Sequence, residues 1–231
     1  MPVLDHVFCF VDPDGRDVAE VERAGFRVDA QPHVHVKQGT ACRCTMLPEH
    51  YLEWIYVRDP LEAAANALRL DVRSDWRRTG ACPFGIGLRG PLAEAERASF
   101  RPYQQPGRPP PAAPLLVHAR AWEPSPLPML FTYEGSDTYR IADMPPRVWK
   151  KHADGQAFAH AHRAEGLAAV TIDVPADVPP SLAHPAPHAT IRRGERFRLD
   201  VTLAAGPFPP IELFGGLVVL RSDRSLGPRP G

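Results

Sequence analysis

His6 lies inside the apolar run Leu4–Val11 (LDHVFCFV), and Glu53 lies inside Tyr51–Val57 (YLEWIYV). Both runs read as buried strands, where an ionisable side chain is costly unless it is partnered. Set side by side in one curved sheet, they would aim an imidazole and a carboxylate into one cavity. That is half of a divalent-metal site. Each residue also has a plainer reading. His6 shares a strand face with Leu4, Phe8 and Phe10 by simple alternation, and reads equally as a satisfied core histidine. Glu53 reads equally as half of a structural pair with His6, or with Arg43 on the neighbouring strand. Other chemistries lack a signature: there is no Gly-rich phosphate loop opening a helix, no GxSxG and no HExxH. Cys9 does not pair with His6 as nucleophile and base, because an odd separation along a strand sets them on opposite faces.

Further ionisable and aromatic residues fall around this pair. His33 and His35 flank Val34 just before Lys37-Gln38-Gly39-Thr40, where both read as ordinary loop residues or as the rim of a cavity. His118, His152, His160, His162, Glu134 and Glu212 are the other candidates to complete a ligand set. Trp54, Trp122 and Tyr133 read as core or as cavity wall. Cys42 and Cys44 share a face if their segment is a strand. They would suit a soft-metal pair there, but their spacing is not CxxC and no second pair follows, so they read first as structural or incidental thiols.

The elements that must position these residues follow from the pattern. After Leu4–Val11 comes the turn Asp12–Gly15. A short helix capped by Asp17 runs to Ala24 and stops at Gly25. Phe26–Val28, Gly39–Leu47 and Tyr51–Val57 read as strands, in the order β-α-β-β-β. Asp59-Pro60-Leu61-Glu62 opens a helix through about Leu70 with capping-box spacing. The order then recurs: strand Pro83–Leu88, helix Leu92–Phe100, a Pro-rich connector, and strands Leu115–Trp122 and Met129–Tyr133. A looser copy begins at Leu167–Val174 and continues through Ala189–Arg192, Phe197–Ala204 and Ile211–Leu220.

LDHVFCFV, the stretch His35–Ala41, YLEWIYV ending at Asp59-Pro60, and PFGIGLR together resemble the glyoxalase-like branch of the vicinal oxygen chelate superfamily. The resemblance is strongest over Met1–Arg89. It implies an α+β fold in which repeated βαβββ modules form a cup-shaped, mainly antiparallel half-barrel sheet around a small-molecule cavity. Residues 1–135 would form the paired modules, and 136–231 a C-terminal region with a degenerate third module. In metal-dependent members each module offers ligands from its first and last strands. Carried over, this makes His6 and Glu53 metal ligands for Zn, Ni, Mn or Fe, and Glu134 a ligand or general base. His35, Trp54, Tyr133 and His160 would line the substrate pocket. Phe84 would stand where the second module's histidine is expected, and Glu212 would match Glu53 in the third copy. The implied activity is that of a lyase, isomerase or dioxygenase on a small oxygenated molecule. A metal-free small-molecule binder using the same cup is the alternative. Pairing of modules across a homodimer is a further expectation.

Composition bounds the partners. Among 231 residues, 44% are hydrophobic, enough for a real core. Lys+Arg and Asp+Glu number 27 each, so no bulk charge draws the chain to nucleic acid or to an acidic membrane. No apolar stretch approaches the ~18 residues of a membrane helix. Four cysteines and no leader-like N-terminal run suggest a cytoplasmic protein.

Overall fold

The computed structural model describes residues 2–12, 16–107, 113–133 and 158–223. Two open sheets pack face to face. The larger has eight strands in the order β2-β3-β4-β1-β5-β8-β7-β6. Its first module comprises β1 (Val3–Phe10), α1 (Val18–Arg23), β2 (His33–His35), β3 (Thr40–Met46) and β4 (Tyr51–Val57). Three short helices follow: α2 (Pro60–Ala65), α3 (Leu70–Ser74) and α4 (Trp76–Thr79). The second module comprises β5 (Phe84–Arg89), α5 (Glu94–Arg97), β6 (Phe100–Tyr103), β7 (Leu115–His118) and β8 (Met129–Tyr133). Within each module the first strand pairs in parallel with the last, and β1 joins β5 antiparallel at the centre. The fold is therefore the α+β cup of repeated βαβββ units, with antiparallel pairs in the majority.

The remaining strands, β9 (Gly166–Val174), β10 (Ala189–Arg193), β11 (Arg198–Ala204), β12 (Ile211–Leu213) and β13 (Val218–Ser222), form a sheet of order β10-β9-β11-β13-β12. A one-turn helix, α6 (Pro180–Ala183), bridges β9 and β10. The pairing echoes the large sheet: β9 and β11 are antiparallel at the centre, and each has a parallel partner, β10 or β13.

Burial explains this layering. The central strands of the large sheet are apolar on both faces. Val7, Cys9, Leu52, Trp54, Phe84, Ile86 and Leu88 face the small sheet and join Val170, Ile172, Ile191, Leu199, Val201 and Leu220 in one core. Phe8, Phe10, Cys42, Cys44, Ile55, Met129 and Phe131 form a second cluster on the cup side. The small sheet's outer face is wet, with Arg192–Asp173, Arg198–Asp200 and Arg221–Asp200 pairs.

Some elements differ from expectation. Phe26–Val28 forms no strand. Phe26 is buried against the rings of His160, His162 and Phe208 instead, and the module's second strand is the three-residue β2. Asp59 does cap α2, accepting from the Leu61 and Glu62 N–H groups. Glu62 does not reach back to close a capping box; its carboxylate accepts the Gly39 N–H at 3.2 Å. This ties α2 to the start of β3, across a Gly39 whose φ is +72°.

Candidate functional site

The cup-side face of β1 is set by a bulge. Its register against β5 skips between Leu4 and His6, leaving Asp5 without a partner. Leu4 therefore falls in the core between the sheets, not beside His6 as strict alternation would have it. The bulge also lets the Asp5 carboxylate turn onto its neighbour. Asp5 Oδ2 lies 2.8 Å from His6 Nδ1, and Arg89 Nη1 donates to Asp5 Oδ1 at 3.0 Å. An ionised carboxylate only accepts, so the bond places the ring proton on Nδ1 and leaves Nε2 to face Glu53. The His6 ring is stacked on Tyr51, centroids 4.2 Å apart, and lies over Gly87.

Glu53 receives two imidazoles. In the parallel β1–β4 register it stands opposite Phe8, on the same face as His6. Its Oε2 lies 3.5 Å from His6 Nε2, and its Oε1 lies 3.4 Å from His35 Nε2. His35 reaches in from the edge strand β2, where the Thr40 hydroxyl holds its Nδ1 at 2.8 Å. Burial alone would raise the Glu53 pKa. The His35 hydrogen bond and the charges of His6 and His35 outweigh it and hold the carboxyl down to about 2. Cys42 Sγ lies 3.5 Å from His35 Nε2, and hydrogen bonding to Cys44, then burial, pushes the Cys42 thiol well up.

His35 and Glu53 line a cavity of about 80 Å³ with Phe8, Phe10, Thr40, Tyr103, Met129, Phe131 and Tyr133. That is room for several waters or the polar end of a small ligand. A larger hollow of about 260 Å³ lies beyond the end of β1, between Asp12, Asp17, Trp76, Arg77 and Phe214, and holds none of the candidate ligands.

The sequence matches the profile described as "Glyoxalase-like domain" over residues 4–185. The chain belongs to this glyoxalase-like family. The family lies within the vicinal oxygen chelate superfamily. A crystal structure of a hypothetical protein from Staphylococcus aureus is similar at TM-score 0.50 and 14% identity, covering 96% of this chain and 99% of that one. At that identity the likeness speaks for the fold alone. No curated protein matches the sequence.

Within this glyoxalase-like sheet the second module departs from the first. Its pairings equate Gly85 with His6, since each stands opposite the first residue of its module's last strand, Met129 or Tyr51. The same register equates Phe131 with Glu53. Phe84, expected at the histidine position, lies one residue off and faces the core between the sheets. Neither Gly85 nor Gly87 could carry a side chain here: an added Cβ would lie 2.1 Å from Phe8 or His6 ring atoms. The candidate centre thus belongs to the first module.

Other expected site residues are dispersed. Tyr133 does line the cavity. Trp54 does not, because it follows Glu53 and points to the opposite face. There its Nε1 donates to Thr45 Oγ1 at 3.1 Å and its ring meets Phe214. His160 is also away from the cavity: its Nδ1 accepts from the Arg27 N–H, and its Nε2 lies 2.7 Å from the Met46 carbonyl. His118 caps a 3-10 turn by accepting from the Arg120 N–H. Glu212 is exposed on β12, not on a strand equivalent to β4. Arg43 pairs with Glu22 on the far face and does not reach Glu53. Glu134 and His152 lie outside the described residues. Missed in the sequence were Asp5, Arg89 and Tyr51, the residues that fix His6 in place.

Proposed function

We propose that this chain is a metal-dependent lyase, isomerase or dioxygenase of the glyoxalase-like kind, acting on a small molecule with two neighbouring oxygens. The observation that carries the reading is Glu53, a carboxylate whose two oxygens face two different imidazoles at the cavity wall. That donor set fits a divalent cation. His35 and Glu53, whose donor atoms lie with Cys42 Sγ within 4.8 Å of one another, would hold it together with His6 on the other carboxylate oxygen, with positions left open for substrate. When bound, the ion supplies Lewis-acid stabilisation for negative charge developing on adjacent substrate oxygens.

The protein's own groups have separable tasks. Asp5 orients His6 and fixes which nitrogen faces Glu53, and Arg89 anchors Asp5. Glu53, at a pKa of about 2, stays ionised at neutral pH but is too weak a base to take a substrate proton there. We assign it to cation binding, and the substrate proton to another acceptor. Glu134, which follows β8 directly, is our proposal for that task. Phe8, Phe10, Met129 and Phe131 give the cavity a lining of low polarity that strengthens electrostatic contacts inside.

A metal-free binding protein using the same cup is the second reading. It is favoured by Gly85 and Phe131, which occupy the second module's ligand positions. One experiment separates the two. Catechol and an α-hydroxycarboxylate serve as probes, titrated into Mn²⁺-loaded and chelator-treated protein. At least tenfold tighter binding with metal, lost in Glu53→Gln, is the expected result. Equal affinity with and without metal would move the assignment to the binding protein, and no binding in either state would overturn both.

A further inference from the structure

A second group of metal-type donors stands beside the first and takes no part in it. Asp29, in the loop before β2, is 1% exposed. Its Oδ2 lies 2.6 Å from His33 Nε2 and accepts the Cys44 N–H at 3.2 Å. The Asp29 N–H in turn donates to the Cys44 carbonyl at 2.9 Å, so loop and strand are locked together at this point. One carboxylate oxygen of Asp29, one imidazole nitrogen of His33 and the Cys44 sulfur all lie within 4.8 Å of one another. Cys42 Sγ is 4.0 Å from Cys44 Sγ, within reach to hydrogen-bond it.

We propose that Asp29, His33 and Cys44 form a second cation site, one that takes a thiophilic divalent ion such as Zn²⁺, with Cd²⁺ as its spectroscopic probe.

Three features support this beyond the clustering. The donors are mixed O, N and S, a set that suits Zn²⁺ and rejects Mg²⁺ or Ca²⁺, which prefer oxygen alone. Asp29 and Cys44 are buried and fixed by main-chain bonds, so two of the three donors are already in place. His33 is about a quarter exposed at the sheet edge, which leaves an open side for the ion and a water ligand. On binding, the Cys44 thiol proton and the His33 Nε2 proton that Asp29 accepts leave to solvent, and the ion takes their place. The site is independent of the centre at Glu53, because the two share no ligand.

The test is Cd²⁺ titration of the full chain carrying Glu53→Gln, which disables the first centre. The readouts are stoichiometry and the ultraviolet thiolate-to-Cd²⁺ charge-transfer absorption. About one equivalent should remain, with that absorption. Adding His33→Ala should weaken it at least tenfold, and adding Cys44→Ser should abolish the absorption. His33 sits on the exposed edge strand, so its alanine variant should keep the wild-type circular dichroism spectrum. Either no thiolate absorption in Glu53→Gln, or equal Cd²⁺ affinity with and without His33, overturns the site. Because the first centre is removed beforehand, its own failure would not alter the result.

Discussion

Gly87→Ala tests the geometry that holds His6. A Cβ at this position would lie 2.1 Å from His6 Cε1, 2.5 Å from Nδ1 and 2.7 Å from Nε2. Ordinary contact begins near 3.4 Å, so the ring must retreat by more than about 1 Å. It cannot do so freely, since Tyr51 is stacked on it and Asp5 holds Nδ1 at 2.8 Å. Overpacking of this kind costs about 1–3 kcal/mol. Breaking the buried Asp5–His6 bond adds about 1–3 kcal/mol. The sum, about 2–6 kcal/mol, corresponds to a Tm lowered by roughly 4–24 °C for a chain of this size. Thermal and urea unfolding followed by circular dichroism would measure it. The decisive version is a double-mutant cycle with His6→Ala, which removes the obstructing ring. In that background Gly87→Ala should cost less than about 1 kcal/mol, because alanine is no worse than glycine in a strand with free space. An equal cost in both backgrounds would refute the reasoning, since crowding by His6 could then not be its cause.

Acid unfolding should carry two separate signatures. His50 accepts the Leu167 N–H at 3.1 Å, and burial, then Arg89, holds its pKa down from 6.5 to about 4. The unfolded chain thus binds a proton that the folded chain refuses, and stability should fall as pH drops from about 6.5 to about 4. The ceiling is about 3 kcal/mol, reduced by partial exposure of the ring. His50→Asn accepts without titrating and should flatten this part of the urea-unfolding curve; an unchanged slope would assign the loss to other groups. Glu53, also depressed, contributes stability above pH 4.5 that is lost as pH falls toward 2, so Glu53→Gln should remove that lower segment and leave the upper one. Gly39→Ala should cost more than about 3 kcal/mol, because φ is +72° and an added Cβ would lie 2.1 Å from the Ala63 nitrogen. A Tm within a few degrees of wild type would show that α2 yields at that contact.

The frame of the cup was legible because its modules are written in apolar runs of strand length, and because ionisable residues inside such runs stand out. His6 and Glu53 were found that way and do meet. Phase was harder to read. LDHVFCFV and FGIGLR are buried on both faces, so they carry no alternation from which to tell cup side from core side. The bulge at Asp5 and the shift from Phe84 to Gly85 were therefore invisible, and Trp54, read as core or as cavity wall, lies on the core side. His160 could not be placed from local pattern, because its partners Arg27 and Met46 lie more than a hundred residues away. His35 sits on a strand of only three residues, too short for periodicity, and only the family resemblance pointed to it. No helix among the described residues is long and apolar enough to cross a membrane.

The central claim is that the first module alone, through His6, His35 and Glu53, holds a divalent cation. Zn²⁺ titration against a chromophoric chelator tests it most directly, with wild type and His35→Ala compared in a His33→Ala background that removes the neighbouring donors. His35 stands on an edge strand, so its loss should leave the fold intact. The expected result is about one equivalent bound with His35 present and at least tenfold weaker binding without it. Equal Zn²⁺ affinity in the two proteins, or no Zn²⁺ bound by either, would contradict the claim.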